Sequence, residues 1–378
     1  MTRVAISTVR LAPDDPHAWS GIPAWIVRTM RAGHAVDPVL LPPPAPRLHQ
    51  AGRILSWATK RMPGDHKVNW EVEPALLRRI TKSMLASAHA AAPGQPIMSV
   101  GWLPLVKPSD GARVAYYNDS VYAQRADTSP HWRGLGRHSR RRLERTEGEA
   151  MRHLAAVIMA SSWAADDAIA RYGLDPSRVH VVPLAANIPT PPEVDRRAPD
   201  GPIRLLATGV EWHRKGMDIA VETVDALRAR DLDASLDVVG VMPPDESWRR
   251  AHVRYHGFLS KGDPVQAETL NHLYANASVF VFPTRDEPYG IVPIEAGAYS
   301  LPVVAPALNA LPEIVQDGVT GILVPAGSGA DAYADAIEAI CRDASRYEQM
   351  GRAGRAAHVE RLNWGRSVEL FAEILHSI

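Results

Sequence analysis

The chain holds one cysteine, Cys341, among 378 residues. That excludes a disulfide framework and any zinc site built on cysteine, and makes a reducing, cytoplasmic setting the simple expectation. Neither sign of charge is in excess, since 42 Lys+Arg balance 42 Asp+Glu, so the global electrostatic footprint of a nucleic-acid binder is missing. No run of about 18 apolar residues occurs, and no membrane span is predicted. The opening stretch MTRVAISTVRLAPDD lacks the apolar core of a signal peptide. Lysine is scarce: six of the 42 basic residues, the rest being arginine. The 15 histidines show no metal-ligand spacing. Internal repeats and low-complexity tracts are absent too. With 46% hydrophobic and 22% charged residues, the chain can bury a large core, and its length suits two domains of roughly 150–200 residues.

Short β-branched runs alternate with amphipathic stretches from end to end, the signature of an α/β protein with parallel sheets covered by helices. Strands are predicted at 3–9, 35–41, 97–101, 112–117, 154–160 and 179–182. Ser20 is a plausible cap for a helix from about residue 22 to 31 that ends at Gly33, and Ser161 or Ser162 caps one that runs to Tyr172 and stops at Gly173. Residues 42–75 are irregular and rich in proline. PTPPEVDRRAPDGP, residues 189–202, is the best linker candidate. After it strands are predicted at 203–208, 235–239, 278–282, 302–305 and 321–324, with two helices filling 331–361. The expectation is two doubly wound, Rossmann-like domains, 1–190 and 200–362, facing across a cleft that is the default ligand site.

The most specific stretch is VFVFPTRDEPYGIVPIE, residues 279–295. A buried strand ends at Pro283, a turn follows, and a helix starts near Tyr289-Gly290. Glu287 lies just before that start and Glu295 in the second turn. Free N–H groups at a helix start bind phosphate well, and Gly290 permits close backbone approach. On spacing alone, a helix whose acids merely cap and solvate it fits equally well.

Glu287-x7-Glu295 within PTRDEPYGIVPIEAGAYSLPVVA resembles the E-x7-E signature of the retaining glycosyltransferases of family 4, which have the GT-B fold. Leu311 to Val315, Asp317-Gly318 and Gly321 to Val324 resemble the same family's PEIV-x-DG-x-x-G-x-LV stretch. The resemblance implies that Glu287 contacts donor-sugar hydroxyls and Glu295 the ribose, while backbone amides of Tyr289, Gly290, Ile291 and Val292 hold the donor phosphate. It implies no metal, the nucleotide-diphosphate sugar being a co-substrate.

Thr208 to Gly216, TGVEWHRKG, resembles the family's phosphate-neutralising turn at Gly209 and Lys215-Gly216. Val210 stands where the family has an arginine, and Arg214 is the substitute. Gly21, in Trp19-Ser20-Gly21-Ile22, falls on the family's glycine-rich loop; Trp19 and Trp25 suit either a sugar face or the core. Phe258 and Leu259, in Gly257 to Lys261, resemble the segment whose backbone reads the nucleobase. Ser161 to Ala165 with Tyr172-Gly173, and Val181 to Asn187, resemble two further family stretches, with Ala185 in place of a glycine. Asp119, after the strand at 112–117, is a candidate acceptor-positioning group or a capping aspartate. Residues 363–378 resemble the C-terminal helix that crosses back to the first domain.

The resemblance implies a retaining glycosyltransferase in which Glu287, Lys215, Arg214 and Asp119 act on the reaction. The acceptor hydroxyl would belong to a saccharide or small natural product. A phosphorylase, a sugar-nucleotide epimerase and a non-catalytic nucleotide-sugar-binding protein are the alternatives. The basic run Arg133 to Arg145 suits an acidic acceptor or peripheral membrane contact, although a solvated helix face is the commoner origin of such a run.

Overall fold

The short apolar runs form two six-stranded parallel sheets. The structure is a computed structural model that describes residues 2–8, 11–33, 35–44, 46–59, 73–101, 111–128 and 135–378. Val9, Arg133 and part of the irregular stretch 42–75 lie outside them. The chain divides into two units, Met1–Leu184 with Trp364–Ile378, and Ala185–Asn363.

In the first unit the strands are β1 (Thr2–Ser7), β2 (Val36–Leu40), β3 (Ile97–Val100), β4 (Val114–Asn118), β5 (Ala156–Met159) and β6 (Val179–Val181). Their order is β2-β1-β3-β4-β5-β6. Its helices among the described residues are α1 (Ile22–Ala32), α2 (Pro46–Thr59), α3 (Pro74–Ala91), α4 (Tyr122–Arg125), α5 (Arg137–Met151) and α6 (Ser162–Tyr172). In the second unit the strands are β7 (Ile203–Thr208), β8 (Ala234–Val239), β9 (Val253–Tyr255), β10 (Val279–Val281), β11 (Val303–Pro306) and β12 (Gly321–Val324), in the order β12-β11-β10-β7-β8-β9. Read from β9, that is the Rossmann order, and the strand direction of travel reverses between β7 and β10. Its helices are α7 (Met217–Arg228), α8 (Pro264–Asn276), α9 (Ile291–Ala298), α10 (Leu311–Ile314), α11 (Ala330–Arg342) and α12 (Ala344–Glu360). Helix α13 (Trp364–Ser377) returns to the first unit, where Phe371 meets Tyr117 edge-on at 4.8 Å and Ser367 Oγ donates to Pro183 O at 2.8 Å.

Strand β10 shows how alternation builds both faces. Val279 and Val281 join the core cluster with Met217, Val221, Tyr333 and Ile337 from α7 and α11. Phe280 points the other way and stacks on Tyr274 of α8, 5.9 Å between centroids. Burying a large side chain in this way stabilises by roughly 1.5–3 kcal/mol.

The structure departs from the sequence reading in three places. Ser20 does not cap α1: Trp19 and Ser20 have left-handed backbone (φ 39° and 57°) in a 3-10 turn, and Gly21, also left-handed, is the cap. Strand β9 was not predicted, because Arg254 interrupts three edge residues and leaves no apolar run. Residues 189–202 are not a free linker. Arg196 donates to the carbonyls of Tyr274, Ala275, Ala277 and Tyr299, and Arg355 to that of Pro191, which straps the segment onto the second unit. Within the described part of the basic run, Arg140 pairs with Asp127 and Arg142 with Glu73 at 2.8 Å. Ser161 does cap α6, its Oγ accepting from Ala164 N at 3.2 Å, and Gly173 ends the helix in the left-handed region.

Candidate functional site

Strands β7 and β10 are neighbours in the sheet, and the chain leaves them at the same end. The turn after β7, Gly209–Gly216, and the turn after β10, Pro283–Gly290, therefore meet at the reversal point, where open α/β sheets bind ligands. Their approach needs glycine. Gly216 caps α7 at φ 68°, and a Cβ there would lie 1.9 Å from Pro283 O. A Cβ on Gly209 would lie 2.6 Å from Lys215 Cγ.

The two turns are zipped together. Thr284 Oγ1 and Arg285 N both donate to Arg214 O, at 3.1 and 2.8 Å. Arg214 Nη1 returns a bond to Asp286 O at 2.9 Å. Arg285 donates to His213 O at 2.7 Å and grips Asp218 with both Nη atoms at 2.7 and 2.8 Å. Burial pushes the Asp218 carboxyl up, but the Arg285 guanidinium, the Ile219 amide and His213 together outweigh this and leave it below the usual carboxylate range.

This frame presents three charged side chains. Lys215 Nζ pairs with Glu287 Oε2, both side chains being mostly buried, and the ammonium lies 5.0 Å from the Phe282 ring centroid. Arg214 is held by Glu211 through Nε and Nη2 at 2.9 and 2.8 Å. Two of its five N–H groups do not enter these three bonds. The Glu287 backbone carbonyl accepts from Asn309 Nδ2 at 3.1 Å, and Asn309 itself is left-handed. Asn309, Glu211 and Thr284 were missed by motif reading. The only sequence signal for Asn309 is an asparagine in the turn after β11.

Gly290 caps α9 with φ 114°, a backbone that side-chain-bearing residues rarely adopt, and a Cβ there would sit 2.7 Å from Leu311 Cδ2. Tyr289 is buried, while Ile291 and Val292 are half-buried at the helix start. Pro293 has no N–H, so the first turn offers its donors from the neighbouring residues.

Glu295 lies in the second turn of α9 as expected, but its side chain is only 1% exposed. Oε1 accepts from Lys261 Nζ and from Asn187 N, the latter at 3.2 Å, and Oε2 accepts from Tyr274 OH at 3.3 Å. Burial and the Glu295 carboxylate push the Tyr274 phenol well above its ordinary range. Lys261 follows Phe258, which is 69% exposed, and Leu259, which is half-buried, on the loop between β9 and α8. Lys261 as a partner of Glu295 was not read from the sequence.

Gly21 and Asp119 belong to the first unit. Gly21 follows two left-handed residues at the C-terminal side of β1. Trp19 packs its ring over Gly101, 3.5 Å from where a Cβ would be, and meets Tyr117 edge-on at 6.1 Å. Trp19 thus joins the turns after β1 and β3, which flank that sheet's own reversal point. Asp119 is half-buried after β4 and accepts from Ser120 Oγ at 2.8 Å. Among the described residues, no group of three or more His, Cys, Asp and Glu is placed to hold a metal, and no helix is long and apolar enough to cross a membrane.

Residues 202–343 match the family model described as glycosyl transferases group 1. The D-inositol 3-phosphate glycosyltransferase of Paenarthrobacter aurescens is 29% identical over 247 residues, 62% of this chain and 60% of that relative. The GDP-mannose-dependent alpha-(1-6)-phosphatidylinositol monomannoside mannosyltransferase of Mycolicibacterium smegmatis is 28% identical over 94% of this chain and 88% of its own length. The chain spans 60% or less of the length of the inositol-phosphate glycosyltransferases it matches. Among solved structures, the sucrose-phosphate synthase of Thermosynechococcus elongatus superposes with a TM-score of 0.68 over 100% of this chain and 99% of its own, at 20% identity. Anabaena Alr3699/HepE in complex with UDP and glucose superposes with a TM-score of 0.63 over 100% of both chains, at 15% identity. The chain therefore has the GT-B fold of two Rossmann-like domains, and its second unit carries the segment similar to group 1 glycosyl transferases.

Proposed function

We propose that the protein is a retaining glycosyltransferase that takes a nucleotide-diphosphate sugar on its second unit and passes the sugar to an acceptor hydroxyl. The observation that carries this reading is the convergence of Lys215, Arg214 and Glu287 on the start of α9 at the sheet's reversal point. Cleavage of the anomeric C–O bond builds negative charge on the leaving diphosphate. Lys215 supplies a point charge for it and Arg214 a planar fork. The amides at the start of α9 supply fixed dipoles that need no reorganisation. Glu287 orients the sugar hydroxyls, and Glu295 meets the ribose. Same-face transfer, with the leaving phosphate oxygen taking the acceptor proton, uses only these groups. Asp119 and the Gly21 loop of the first unit are the acceptor-side residues of this reading.

The names of the relatives point to the substrate classes. One is GDP-mannose-dependent and others act on an inositol phosphate, while a structural neighbour is seen with UDP and glucose. UDP- and GDP-hexoses are therefore the first donors to try. A thermal-shift panel identifies the donor, which at 100 times its dissociation constant adds about 2.7 kcal/mol of stability. NMR of the product then reads the anomeric configuration: retention supports the proposal, and inversion overturns the mechanism. Phosphorolysis, in which inorganic phosphate takes the sugar from a glycoside and a sugar 1-phosphate is released, would assign a phosphorylase instead.

A further inference from the structure

Glu295 has three hydrogen-bond donors among the described residues, and they are not equivalent. Asn187 is 4% exposed and Tyr274 1%. The amide of Asn187 and the phenol of Tyr274 are fixed by backbone and by aromatic stacking, Tyr274 lying 5.3 Å from the parallel ring of Tyr299. The side chain of Lys261 is 39% exposed and hangs from the loop between β9 and α8. Lysine has four rotatable bonds and no shape that fixes it to one site. The carboxylate is shut off from solvent, and the one partner able to leave is Lys261. Glu295 lies on the helix whose start belongs to the proposed phosphate site, and Lys261 lies on the loop that carries Phe258 and Leu259.

We propose that Lys261 is a displaceable cap on Glu295: a nucleotide's ribose diol takes the place of the ammonium, so Lys261 competes with the ligand and sets nucleotide affinity. This rests on the nucleotide-sugar reading above. An ammonium and a vicinal diol both donate to a carboxylate, so one can replace the other without leaving Glu295 bare. The exchange breaks an ion pair in every binding event. Removing the lysine removes that cost, and the ligand then restores a partner that the variant lacks.

The test is calorimetric titration of the full chain with UDP and GDP, followed by the 2′,3′-dideoxy form of whichever binds more tightly. Lys261→Met should bind the ribonucleotide roughly two- to fivefold more tightly than the wild type, the range expected for a partly exposed pair. The dideoxy nucleotide should not share the gain. Lys261→Arg keeps a cation and should stay near wild-type affinity. Lys261→Met should also melt at a lower temperature and gain more from added nucleotide, which shows that it is folded. If Lys261→Met binds the ribonucleotide equally or more weakly, or if the dideoxy form gains as much, the cap is refuted while the nucleotide reading stands. If the wild type binds neither UDP nor GDP, the nucleotide reading itself falls, and the cap with it.

Discussion

Lys215 Nζ pairs with Glu287 Oε2 across 72 residues of sequence, joining the turns after two adjacent strands. In a chain with six lysines, two buried or mostly buried glutamates of the second unit pair with lysine, Glu287 with Lys215 and Glu295 with Lys261. Arginine is the chain's usual cation, and its planar fork suits fixed bridges such as Arg285 with Asp218. Lysine offers a compact charge that can turn from a carboxylate to a phosphate without stripping the frame around it.

That pair predicts the largest losses of activity. Lys215→Met and Glu287→Gln should each lower turnover by about 10²- to 10³-fold, the scale for removing a preorganised transition-state contact. Initial rates of sugar transfer, on variants with wild-type melting temperatures, measure this. Near-normal turnover would reject the placement of the site.

Glu295 should act on binding more than on chemistry. Glu295→Gln should raise the donor KM with a smaller change in kcat, because a ribose contact is made in the ground and transition states alike. Steady-state kinetics with the identified donor separate the two. A fall in kcat at constant KM would assign Glu295 to the reacting centre.

Gly216→Ala should destabilise the second unit by at least about 2 kcal/mol, since a left-handed backbone and a Cβ driven against Pro283 O act together. Gly201→Ala is the control. A Cβ there meets nothing within 4 Å, and the change should stay within about 0.5 kcal/mol. Denaturant unfolding of both variants tests the contrast, and equal stabilities would contradict the close approach of the two turns.

The two units should respond oppositely to acid. Burial raises the Glu147 carboxyl to about 7, against the hydrogen bonds from Tyr172 and Tyr122. The folded first unit thus holds a proton that the unfolded chain releases near 4.5, and this group's contribution to stability falls as pH rises from about 4.5 to 7. Burial and then the Arg355 charge lower His358 to about 4. The second unit therefore loses stability as pH falls from about 6.5 toward 4. Glu147→Gln should flatten the first slope and His358→Leu the second, each by about 1–3 kcal/mol across its window. Melting curves from pH 4 to 8 measure this; profiles parallel to the wild type would contradict both assignments.

Much of the fold was legible because buried parallel strands are continuous apolar runs. β7 and β12 fall on the predicted residues, and most others shift by one or two. β9 was hidden because Val253–Tyr255 sits at a sheet edge, where no run is needed. Ser20 misled because a good capping residue was overridden by backbone curvature that only Gly21 tolerates at low cost. At the candidate site, motif spacing singled out Glu287, Lys215 and Gly290, which local turns bring together. It could not reveal Lys261 on Glu295, Arg196 on four carbonyls or Asn309 on Glu287, because those contacts span 34, up to 103 and 22 residues and leave no local pattern.

The central claim is that a nucleotide's diphosphate lies against Lys215, Arg214 and the start of α9. Calorimetric titration of UDP and GDP into the wild type and Lys215→Met tests it most directly. The account predicts saturable one-site binding of at least one of them to the wild type, weakened at least tenfold in the variant. Equal affinity in the two proteins would contradict it.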